Sequence, residues 1–118
     1  MGVSLGFFRN HEEVFCADGH GELLVWLDAG IGGQAYEEYD DFWVTLDTIN
    51  DVQAKIAGMA SDNNITLSDR GPRDLEQLQW KRDSEFEWGE LIRCYASLLA
   101  AMRRDVEKNG PLICGWSA

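Results

Sequence analysis

Apolar positions in residues 84–109 recur at the period of a helix. Trp88, Leu91, Ile92, Tyr95, Leu98, Leu99, Met102 and Val106 are spaced three and four apart, which puts them on one helical face. Ser84 with Glu87 fits a capping box at the start, and Asn109-Gly110-Pro111 fits a stop. Arg103, Arg104 and Lys108 suit the negative end of the helix dipole. Gly89 is the weak point and is expected to delay the start by a turn. This stretch predicts a helix of about 35–40 Å at roughly 1.5 Å per residue, long enough to wall one side of a small domain.

The rest of the pattern predicts strands and shorter helices. Residues 3–8 alternate loosely and read as a strand, 10–13 as a polar connection, and 14–17 as a second strand ended by the turn 18–21. Residues 22–28 are apolar on both faces and are expected to form a strand in the centre of the sheet. Residues 29–33 read as a glycine-rich loop. Phe42, Val44 and Leu46 alternate with Trp43, Thr45 and Asp47, as in a half-buried strand. Thr48 with Asp51 suggests an N-cap for a short helix bearing Ile49, Val52, Ile56 and Met59, ending near 61–64. Residues 65–67 read as another strand. Residues 68–83 fit either a helix begun by Pro72 or a strand, and 112–116 either a last strand or a packed tail. The order of elements predicts one α+β domain spanning 1–118. Its antiparallel sheet has about four strands and packs against the long C-terminal helix and one or two shorter ones.

Composition narrows the class. At 118 residues with 45% hydrophobic and 26% charged positions, the chain can fill one core and is not of disordered type. No apolar run approaches 18 residues, so no membrane span is expected. The N-terminal residues lack the basic region and cleavage site of a signal peptide. The three cysteines have no paired spacing, as in a reduced, cytoplasmic protein.

Charge changes the picture most. The chain carries a formal net charge of −11, and residues 10–54 hold eleven carboxylates and no Lys or Arg. From Lys55 onward nine bases nearly balance ten acids. Such a surface repels nucleic acid and anionic membrane and attracts cationic partners. Solubility alone would also account for it.

Within that stretch, Tyr36, Glu37, Glu38, Tyr39, Asp40, Asp41, Phe42 and Trp43 interleave four acids with four aromatics. Aromatics supply rigid contact area and acids supply steering toward Lys and Arg, the pairing expected of a protein-binding surface. Tyr36, Glu37, Glu38, Tyr39, Asp40, Asp41, Trp43 and Asp47 are the candidate partner-binding residues. Other chemistry has weaker support. His11, Cys16 and His20 are the material for a small metal-dependent or cysteine enzyme, yet Cys-x-x-Cys and His-Glu-x-x-His are both absent. The glycines at 30, 32 and 33 lack the Lys-Ser/Thr of a phosphate loop. The acids match no EF-hand, and close carboxylate pairs arise by chance at this density. No catalytic residue, metal or cofactor is assigned.

In size, acidity and lack of a catalytic motif, resting on residues 10–54 and 36–43, the chain resembles the small immunity proteins of bacterial toxin–immunity systems, such as those of contact-dependent growth inhibition. The resemblance is to a class. It implies a bacterial cytoplasmic inhibitor that neutralises a basic, nuclease-like toxin by occluding its cationic surface.

Overall fold

Two strands of the sheet come from one end of the chain and a third from the other. In a computed structural model, which describes residues 4–28, 42–67 and 72–117, β1 (Ser4–Arg9) turns at Asn10-His11 into β2 (Glu12–Cys16). Both turn residues take positive φ, 52° and 66°. β3 (Phe42–Val44) and β4 (Leu112–Ser117) complete a four-stranded antiparallel sheet in the order β2-β1-β4-β3. The C-terminal segment is therefore a central strand.

Among the described residues four α-helices join them: α1 (Gly21–Asp28), α2 (Leu46–Asp62), α3 (Pro72–Trp80) and α4 (Trp88–Asn109). The expected α+β class, with its sheet of four strands against a long last helix, is the observed one. α4 buries Leu91, Ile92, Tyr95, Leu98, Leu99, Met102 and Val106, the face that the period predicts. At 22 residues it is about 33 Å long. Gly110 at φ 95° ends it, its N–H bonding to Val106 O at 2.9 Å, a conformation that favours glycine. α2 and α3 pack on α4. Arg103 of α4 donates two hydrogen bonds to Gln53 Oε1, at 2.9 and 2.8 Å. On the sheet, Leu5, Phe7, Phe42, Val44, Leu112 and Cys114 are buried.

Several expectations are corrected. Residues 22–28 are not a central strand: they belong to α1, which buries Leu23, Trp26 and Leu27. A short apolar run carries no period that separates a buried strand from a buried helix, and Leu23, Trp26 and Leu27 stand at i, i+3 and i+4. Residues 65–67 are not a strand. Ile65 N–H instead bonds back to Ala60 O at 2.8 Å, and Arg93 Nε donates to Thr66 O at 3.2 Å. β3 ends at Val44 because Thr45, not Thr48, is the N-cap of α2. Thr48 N–H donates to Thr45 Oγ1 and Thr45 N–H to Thr48 Oγ1, a reciprocal cap. Ser84 and Glu87 form no capping box: Asp83–Glu85 is a 3-10 turn, and Glu87 is an N-cap without a side-chain bond. Trp88 lies at the rim, 44% exposed, edge-on to Trp26. The open choice over 68–83 resolves as α3 beginning at Pro72; residues 29–33 lie outside the described residues.

Candidate binding surface

Side chains alternate across a strand, so the same sheet that buries Phe7 and Val44 points their neighbours the other way. The register pairs Trp43 with Ile113, Ile113 with Phe8, and Phe8 with Glu13. These four residues make a row across all four strands. With neighbouring strands about 4.8 Å apart, the row is about 14 Å long. Phe8, Trp43 and Ile113 are half-buried and Glu13 is exposed.

Beside the row is a cleft of about 500 Å³ lined by Phe8, His11, Trp43, Pro111 and Ile113. A second, of about 280 Å³, is lined by Thr45, Leu46, Asp47 and Pro111. Pro111 belongs to both, so Trp43 and Asp47 look onto adjoining hollows. Leu46 and Asp47 are exposed at the first turn of α2. Arg9, a cation lining the larger cleft, is committed elsewhere: its Nη2 donates to Asp105 Oδ2 and to Gly110 O, each at 2.6 Å. The Arg9 guanidinium holds the Asp105 carboxyl below its ordinary range, with Asn109 assisting and burial opposing.

Of the candidate residues, Trp43 and Asp47 line separate clefts that share Pro111. Tyr36, Glu37, Glu38, Tyr39, Asp40 and Asp41 lie outside the described residues. Phe8, Ile113 and Pro111 escaped notice in the sequence. The alternation in 3–8 and 112–116 was the available signal, but it does not say which phase faces inward.

His11, Cys16 and His20 occupy three different environments. His11 is exposed in the β1–β2 turn. His20 is no surface turn residue: it is fully buried, and both ring nitrogens are engaged. Nε2 faces two acceptors, Leu78 O and Lys81 O, both at 2.9 Å, so it carries the proton and donates to them. In that tautomer Nδ1 accepts from the Tyr95 hydroxyl at 2.7 Å. The ring ties the end of α3 to α4. Cys16 is half-buried. Burial pushes its thiol up, and the charges of Asp18 and Glu13 add to this against a lowering backbone hydrogen bond at Asp18. That is the reverse of the shift that activates a nucleophile.

One further group brings possible metal ligands close. Asp74, Glu90 and Cys94 have ligand atoms within 4.8 Å of one another. The buried Asp74 carboxylate accepts from Ser97 Oγ at 2.6 Å, and Glu90 lies 3.7 Å from Arg93. Three such donors are fewer than a closed tetrahedral zinc site uses. The spacing of Glu90, Cys94 and Ser97 at i, i+4 and i+7 was its only sequence signal.

Among the described residues no helix is long and apolar enough to cross a membrane. No family model, curated protein or solved structure matches this chain.

Proposed function

We propose that the chain is an acidic protein-binding domain that inhibits a basic protein, of the toxin–immunity kind, by covering its cationic surface. The observation that carries this reading is the outer sheet face. Phe8, Ile113 and Trp43 form an apolar row there with Asp47 on the adjoining hollow. Partly exposed aromatics are enriched in contact patches, and the acids suit the polar rim of one. The base-free segment 10–54 supplies β2 and β3 of this sheet, with Glu12 and Glu13 on β2 and Asp47 at the start of α2. Inhibition needs no covalent chemistry here: acids steer the partner in and the apolar row holds it.

The test is capture of the partner on the immobilised chain, release by a salt gradient, and identification by mass spectrometry. One basic protein bound near one-to-one is expected. Trp43→Ala should speed its dissociation about tenfold or more, and Asp47→Lys should slow its association. A cognate toxin should lose its toxicity when the chain is co-expressed. Failure to recover a basic partner, or unchanged kinetics in both variants, overturns the reading.

A further inference from the structure

At the other end of the outer face the sheet is floored by glycine. Gly6 of β1 is paired with Gly115 of β4, and each alternates with an inward residue, Phe7 and Cys114. Two facing glycines leave a dent where side chains would otherwise stand. A cleft of about 370 Å³ lies over it, lined by Gly6, Gly115, Phe8, Glu13, Asp18 and the β1 start. Over Gly6, which is buried, the dent is already filled: a Cβ there would stand 2.8 Å from the Phe8 ring and 3.0 Å from a Glu13 carboxylate oxygen. Ring and carboxylate thus lean over the same glycine. Asp18 is fixed from behind, its Oδ1 accepting Leu5 N–H at 2.8 Å. Glu13 and Asp18 are both exposed, and among the described residues neither is in an ion pair.

We infer that this glycine-floored cleft is a socket for one cationic side chain, an arginine presented by a protein partner. The identification rests on the basic partner proposed above. An aromatic ring beside two carboxylates suits a planar cation, which stacks on the ring while its N–H groups reach the oxygens. Gly115, half-buried in the cleft lining, leaves room for the aliphatic stem. Charge complementarity selects the occupant: among the described residues no base lines this cleft, and Lys81 and Arg82 line a separate one on the far side of Asp18. Cys16, the partner of Gly6 across β1 and β2, senses the same field: after burial, the charges of both Asp18 and Glu13 oppose its thiolate.

The experiment is an amide NMR titration of the whole chain with N-acetyl-arginine amide, with the citrulline analogue as the uncharged control. Saturable shifts at Gly6, Glu13, Asp18 and Gly115 are expected with the arginine compound and none with citrulline. Gly115→Val places a side chain in the cleft that Gly115 lines, and Glu13→Gln removes one carboxylate. Each should weaken binding about tenfold or more. Shifts that spread over the acidic residues without saturating, or that persist in Gly115→Val, overturn the socket, as does saturation by calcium chloride alone. The two proposals fail separately. A captured basic partner whose affinity is unchanged by Gly115→Val removes the socket and leaves the inhibitor. Saturable arginine binding without any recoverable basic partner does the opposite.

Discussion

The two faces of the sheet are written in alternate letters of the same strands, and they obey different rules. Inward, Leu5, Phe7, Phe42, Val44, Leu112 and Cys114 are closed off from water and belong to one core with α1, α2, α3 and α4. Outward, Phe8, Trp43 and Ile113 are half-buried and give way at one end to two glycines and two carboxylates. The inner face is explained by folding alone, since burial of its side chains stabilises the domain. The outer face is not. A core does not need an apolar row on its far side, and a face kept for water would alternate to polar residues. Apolar groups left at a surface beside unpaired acids are where binding is to be sought.

The sharpest way to break this comparison is to truncate one residue from each face. Phe7→Ala should destabilise the fold by about 3–5 kcal/mol, because it opens a cavity in a packed core. Ile113→Ala should cost about 1 kcal/mol or less while still weakening the partner. Equal losses in denaturant melts would mean that the outer row is structural.

Next in size is His20→Ala. It removes the hydrogen bonds that join the ring to Leu78 O, Lys81 O and the Tyr95 hydroxyl in a buried place, and should cost about 2–4 kcal/mol. Partner and arginine binding should survive in the folded fraction. A variant of unchanged stability would show that His20 does not clamp α3 to α4.

The smallest effect concerns Cys16. Its raised pKa predicts slow alkylation at neutral pH, accelerating only as pH rises past the ordinary thiol range. Glu13→Gln removes one of the negative charges and should speed alkylation modestly at fixed pH. A saturating arginine compound should reveal itself in the same assay, by speeding the reaction through its charge or by shielding the thiol. No change with either would place Glu13 away from Cys16 and weaken the case for the socket.

The comparison also shows which parts of the molecule were legible in advance. Local signals held where one element decided its own fate. The α4 face from Leu91 on, the start of α4 about a turn late and the stop at Gly110-Pro111 are as expected; the first two strands also form, but the second begins at Glu12, inside the stretch 10–13 expected to be a connection. Pattern misled where two periods share a short run: the apolar stretch 22–28 is a helix, and Thr45 rather than Thr48 caps α2. Of the candidate site, Trp43 and Asp47 stood out because aromatic and acid are mixed there. Phe8 and Ile113 did not, because a lone apolar residue in a strand gives no sign of its face.

What the sequence by itself determined is therefore local and additive: helix periodicity, caps, turns, and a net charge of −11 concentrated in residues 10–54. Only the tertiary structure decided what lies beside what. It inserted β4 between β1 and β3, which set Gly115 against Gly6 and Ile113 between Phe8 and Trp43. It also drew His20 under Tyr95. These neighbours are separated by tens of residues, and their meeting depends on strand order and register. Those are chosen by burying the inner face as a whole, a global condition that no single stretch of the chain records.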